Sequence, residues 1–297
     1  MFTGLSAFSL TPVTATGIDE RGFVSIIQRI VAAQADSAGV LGSTGSYAYL
    51  TREQRKRVAT LAKQELGTIP MMVCIGAVGT DEVLRLAEDA QQAGASALLL
   101  PAISYQKLND DDVFGLFETV SQRVSLPICI YDNPGTSHFE FSDALHGRIA
   151  ALPGVKSVKI PGVPDQPEAA RERVANLRRQ LPARVTIGIS GDAFAGLGLN
   201  AGCEAWYSVC GGLFPRTAKA ITDAAARGDK AQVTALTERL NPLWDLFRRH
   251  GGSIRVIAAA AGLLGLTEID CLPRPLKPLG TADVAEIKQV ITSLELA

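Results

Sequence analysis

A lysine at the end of a short apolar run is the residue of this chain with the most chemistry to offer. Lys159 lies in Val155-Lys156-Ser157-Val158-Lys159-Ile160, just before the loop signal Pro161-Gly162. The run reads as a strand. Side chains alternate along a strand, so Val155, Ser157 and Lys159 share one face and Lys156, Val158 and Ile160 share the other. In a closed parallel barrel the amine of Lys159 would point inward at the end where barrel enzymes carry their chemistry. An inward amine can condense with a carbonyl substrate to give a Schiff base. The bland alternative is a solvated lysine at a strand end.

Other strand ends offer partners for that amine. Gly42-Ser43-Thr44-Gly45-Ser46 follows one apolar run. Its glycines permit close backbone approach, and its hydroxyls and amides suit a carboxylate. A plain tight turn explains the same residues, and no lysine follows to make a phosphate-binding loop. Tyr105 follows Pro101-Ala102-Ile103-Ser104, and Tyr131 ends Ile128-Cys129-Ile130. A tyrosine in such a place can move protons or simply pack its ring. Ser190-Gly191-Asp192, Tyr207-Ser208 and Gly211-Gly212 close two further runs, the glycine amides being candidates for an anion.

Positioning these residues requires alternating strands and helices. Apolar runs at Leu5–Leu10, Gly39–Leu41, Met71–Val78, Ala97–Pro101, Ile128–Tyr131, Val155–Ile160, Val185–Ile189 and Glu204–Val209 are separated by helical segments. This spacing predicts an α/β fold, a (β/α)8 TIM barrel. The stretch Asp19–Ala38 carries an apolar stripe of Phe23, Ile26, Ile27 and Ile30. Thr51 with Gln54 reads as a capping box. Thr80-Asp81-Glu82 and Asn109-Asp110-Asp111-Asp112 read as helix starts, with acids in the first turn. From residue 228 the alternation stops. Asp229–His250, Ser253–Leu264 and Thr281–Leu296 read as helices, which divides the chain into a barrel over 1–227 and a C-terminal helical extension over 228–297.

Bulk composition excludes several classes. The chain has 297 residues, 47% hydrophobic and 20% charged, with a net charge of -1, enough for a full core. No basic block marks a nucleic-acid partner, and no apolar stretch approaches a membrane span. Met1-Phe2-Thr3-Gly4-Leu5 predicts no signal peptide. Five cysteines, none in C-x-x-C spacing, and three histidines without ligand spacing predict reduced, buried thiols in a cytoplasmic protein and no metal.

Taken together, Gly42-Ser43-Thr44-Gly45, Tyr131-x-x-Pro134, Val158-Lys159 and Ser190-Gly191-Asp192 resemble the dihydrodipicolinate synthase / N-acetylneuraminate lyase family, over the whole chain. The resemblance implies a (β/α)8 homo-oligomer, a tetramer or dimer, that forms a lysine imine with pyruvate or another 2-oxo acid and needs no cofactor. It makes Lys159 the Schiff-base lysine and Tyr131 the proton shuttle. Ser43 would pass protons, while Thr44 and Gly45 would hold the substrate carboxylate. Tyr105 would complete the relay, often across a subunit interface, and Tyr207 would contact the pyruvyl group through its backbone. Three positions depart from the family pattern. Ser46 stands in place of Glu, Thr136 in place of the arginine that dihydrodipicolinate synthases use for the aldehyde substrate, and Ile160-Pro161-Gly162 in place of small polar or acidic residues. The imine-forming half of the site is thus intact and the half facing a second substrate is altered. The resemblance implies a class I aldolase or lyase other than 4-hydroxy-tetrahydrodipicolinate synthase itself. An imine-dependent dehydratase or deaminase, or a non-catalytic 2-oxo acid binder, stands as the alternative.

Overall fold

The computed structural model describes residues 1–296. Eight parallel strands close into one barrel in chain order. They are β1 (Gly4–Phe8), β2 (Ser37–Val40), β3 (Met71–Cys74), β4 (Ala97–Pro101), β5 (Ile128–Tyr131), β6 (Val155–Ile160), β7 (Thr186–Ile189) and β8 (Ala205–Ser208). The last strand pairs back onto the first, with Ser6 opposite Tyr207. Strand residues are buried almost throughout because helices cover the outside and side chains fill the inside.

The helices sit where the apolar stripes demand. Phe23, Ile26, Ile27 and Ile30 of helix Glu20–Ala32 are fully buried, each contributing about 1.5–3 kcal/mol of transfer free energy. Both reciprocal hydrogen bonds of the Thr51/Gln54 capping box form, at 3.2 and 2.9 Å. Asn109 caps helix Asp110–Arg123 in the same way, with Asp112 reaching back to its N–H.

Several boundaries differ from the sequence reading. The helix expected over Asp19–Ala38 ends at Ala32, and Gln34 turns the chain with φ 54°. The next strand therefore starts at Ser37 rather than Gly39, its small residues hiding it from a hydrophobic pattern. The run Met71–Val78 is strand only to Cys74, and Val78 lies exposed in the loop. The helix expected over Asp229–His250 is two, Lys230–Arg239 and Asn241–Arg249. Pro242 in the first turn of the second cannot donate an N–H back to the first. Helices Ile254–Leu263 and Thr281–Ser293 complete the extension. No helix among the described residues is long and apolar enough to cross a membrane. All five cysteines are free and buried.

Candidate active site

Lys159 points into the barrel from the C-terminal end of β6, and its side chain is buried. The alternation that sends Val158 and Ile160 outward sends Ser157 and Lys159 inward. Its Nζ lies 3.9 Å from the ring centre of Phe8, 4.2 Å from that of Tyr131 and 5.8 Å from that of Tyr207. No carboxylate forms an ion pair with it among the described residues. Burial disfavours the ammonium and brings the pKa down from 10.5 to about 8, while the Cys129 and Cys74 thiols and Asp192 oppose the shift. The ring faces offset part of the desolvation cost of the charged form. They carry no full negative charge to hold the proton, so the amine gives it up more readily than an exposed lysine does.

Tyr131 is the register partner of Lys159 on the neighbouring strand. The Asn133 side chain donates to its phenol oxygen at 2.8 Å, and the Ser43 backbone amide faces the same oxygen. Burial raises the phenol pKa, and those two N–H donors only partly offset it, so the group is a protonated acid at neutral pH. Ser43 and Thr44 line the cavity over Lys159. Gly45, expected to hold substrate, does not line it. A Cβ there would stand 2.8 Å from the Leu41 amide nitrogen, so this glycine lets the loop fold back on itself. Ser46, next to it, is buried at φ 58° with no hydrogen-bond partner for its hydroxyl.

Tyr207 enters through its side chain as well as its position. Its hydroxyl lies 2.6 Å from that of Ser157, which accepts from Thr186 at 2.8 Å. The Cys129 thiol approaches the same phenol at 3.7 Å. This polar chain forms a buried floor one layer below the lysine. Phe8 packs edge-on against Tyr207, 6.0 Å between ring centres. Both rings occupy space vacated by glycines. Gly188 is the register neighbour of Lys159 on β7, and a Cβ there would come 2.2 Å from the Tyr207 ring. Gly39 pairs with Phe8 itself, and a Cβ there would come 2.5 Å from that ring. Phe8, Cys129 and Asn133 escaped the sequence reading as site residues, and Ser157 was placed on the face of Lys159 without a role. The signal that could have found the box was a glycine inside each of two strands.

Beyond Gly45, one further expectation fails within this chain, and another, the Tyr105 relay, calls on a neighbouring copy that a single chain does not hold. Tyr105, 89% exposed, stands on the loop after β4 and takes no part in the cavity. The amides of Gly211 and Gly212, expected to face an anion, are buried and bonded to Ser208 Oγ at 2.7 Å and to the Val209 carbonyl at 3.0 Å. Asp192 is likewise structural in its contacts. Its carboxylate accepts from Trp206 Nε1 (3.0 Å), Ser208 Oγ (3.1 Å) and the amides of Val209 (3.3 Å) and Cys210 (2.7 Å). It thereby ties β8 to the turn after β7. No group of three or more His, Cys, Asp or Glu side chains among the described residues is placed to hold a metal ion.

The cavity above Lys159 measures about 510 Å³. It is lined by Ser43, Thr44 and Tyr131 from the barrel and by Phe247 and Arg248 from the helical extension, among others. An isolated dry amine facing a protonated phenol in such a pocket can carry out carbonyl condensation.

Comparison with known proteins agrees with the geometry. The family model described as Dihydrodipicolinate synthetase family matches residues 1–294. A 4-hydroxy-tetrahydrodipicolinate synthase of Rhodospirillum centenum is 31% identical, covering 99% of each chain. The crystal structure of a dihydrodipicolinate synthase from Agrobacterium tumefaciens superposes with a TM-score of 0.94 at 41% identity, covering 99% of this chain and 98% of that one. A prophage protein of the dihydrodipicolinic acid synthase family from E. coli K12, solved in complex with pyruvate, shares the fold at TM-score 0.90, 24% identity and full coverage of both chains. With a family model spanning nearly every residue and a curated relative aligned from end to end, this chain belongs to the dihydrodipicolinate synthetase family.

Proposed function

We propose that this protein is a class I aldolase or lyase that forms an imine between Lys159 and pyruvate or another 2-oxo acid. One observation carries the reading. The Lys159 amine is dry, free of any paired acid, and depressed to a pKa of about 8 beside the Tyr131 phenol. The amine attacks the 2-oxo carbon and a C–N bond forms. The former carbonyl oxygen takes two protons, one from the amine nitrogen and one from Tyr131, and leaves as water. The iminium then draws electrons from the adjacent carbon, which loses a proton to the Tyr131 phenolate to give an enamine. That carbon attacks an aldehyde, forming a C–C bond as the aldehyde C=O π bond opens and its oxygen takes the proton back from Tyr131. Water hydrolyses the imine and restores Lys159. The lyase direction is the reverse sequence. The imine itself is the electron sink, so the scheme calls on no cofactor.

In this scheme Ser43 passes protons to Tyr131, and Thr44 with its neighbouring amides holds the 2-oxo acid carboxylate. Tyr105 acts from a second copy of the chain. Tyr49, Val78 and Tyr105 are exposed on the loops after three consecutive strands, β2, β3 and β4, and a homo-oligomer covers them. The second reactant differs from that of the named synthases, because Thr136 brings no charge to the pocket and its hydroxyl is turned to the Asn133 carbonyl at 3.5 Å.

Incubation with pyruvate and a panel of aldehydes, followed by NMR, tests the reading. The expected result is a new C–C bond with at least one aldehyde, absent in Lys159→Ala. Release of water or ammonia from a 2-oxo acid without any change at carbon–carbon bonds would reassign the protein as a dehydratase or deaminase. Pyruvate binding with no turnover at all would make it a binder.

A further inference from the structure

We propose that Arg248 binds a carboxylate at the far end of the substrate, so that the reactant joined to or released from the 2-oxo acid is itself an acid. The inference rests on the imine reading above and identifies the class of its second reactant. The cavity of about 510 Å³ leaves room beyond a three-carbon oxo acid for a longer reactant. Its lining includes Pro161, Phe194, Phe247 and Ile254, which suit a carbon chain.

Three charged residues line this space, Lys159, Asp192 and Arg248. Lys159 is consumed in the imine. Asp192 has its carboxylate occupied by four donors from β8 and the turn after it. Of the three, Arg248 is the one with N–H donors left over for a ligand. It projects from the last turn of helix Asn241–Arg249, and the chain turns immediately after it at Gly251 and Gly252, which also line the cavity. Its side chain, 61% exposed, is ion-paired with Asp245 one turn earlier, which offsets part of its charge. A guanidinium has five N–H donors, so donors remain for a ligand. Their planar fork matches the two oxygens of a carboxylate. The donors that select the reactant thus come from the helical extension rather than from the loop after β5.

Borohydride trapping with 2-oxo acids tests this without knowledge of the natural reactant. 2-Oxoglutarate and 2-oxoadipate carry a distal carboxylate, and 2-oxopentanoate and 2-oxohexanoate are their monocarboxylic counterparts. At subsaturating acid, Arg248→Gln should lower the trapping rate about tenfold more for one or both diacids than for the matching monoacid. Arg248→Lys should recover part of the difference, and raised salt should erase the wild-type preference. An unchanged diacid-to-monoacid ratio in Arg248→Gln, with trapping intact, would overturn the assignment. A wild-type protein that traps no 2-oxo acid would instead sink the imine reading. Calorimetric binding of the same diacid and monoacid pairs would then still decide whether Arg248 selects the distal carboxylate.

Discussion

At the scale of single residues the structure makes a claim about one proton. With its pKa near 8, Lys159 is about a tenth free amine at pH 7, some few hundred-fold more than an unperturbed lysine. The initial rate of imine trapping should therefore rise with pH, reach half its limit near pH 8 and flatten above. A rate still climbing past pH 10 would show an ordinary solvated amine. The same shift has a cost in stability. The unfolded chain binds this proton up to about pH 10.5 and the folded one only to about 8, so the destabilisation is full below pH 8 and fades between 8 and 10.5. Lys159→Met should accordingly be more stable than wild type at pH 7, by about 1–3 kcal/mol in denaturant unfolding. Tyr131→Phe removes a proton carrier but leaves the amine in place. It should lower turnover about 10²- to 10⁴-fold while borohydride trapping with pyruvate persists. The facing of Lys159 was legible in the sequence because strand alternation fixes it. The surroundings of the lysine were not, because Phe8 and Tyr207 reach it from strands remote in sequence.

At the scale of elements the site depends on which strands carry no side chain. Gly188 and Gly39 leave room for Tyr207 and Phe8 beside the amine. Gly188→Ala would force a methyl group into the Tyr207 ring and should cost about 1–3 kcal/mol by overpacking. Tyr207→Leu in the same chain should return part of that loss, a coupling that a double-mutant cycle would register. Additive effects would mean the two positions do not share the space. Strand existence and order were readable from apolar runs at βα spacing. Small residues masked the start of β2, and Pro242 broke a helix whose apolar pattern runs through it. The loop chemistry was half readable. Ser43 and Thr44 do line the cavity, whereas Gly45 serves its own loop, a distinction that backbone packing makes and composition does not.

At the scale of the whole molecule, the barrel supplies the amine and phenol and the helical extension closes the far side of the pocket with Phe247 and Arg248. Tyr105 is turned to solvent in a single chain, so the proposed relay through it requires a second copy. Sedimentation should find a dimer or tetramer, and Val78→Asp, which puts a charge on the same exposed face, should shift it toward monomer and reduce turnover together. A fully active monomer would remove Tyr105 from the relay. The central claim is tested most directly by borohydride reduction of the intact protein with pyruvate, followed by mass spectrometry of the whole chain and of its peptides. The expected result is one reduced pyruvyl adduct per chain, carried on the peptide that contains Lys159. No adduct, or an adduct on any other lysine, would contradict it.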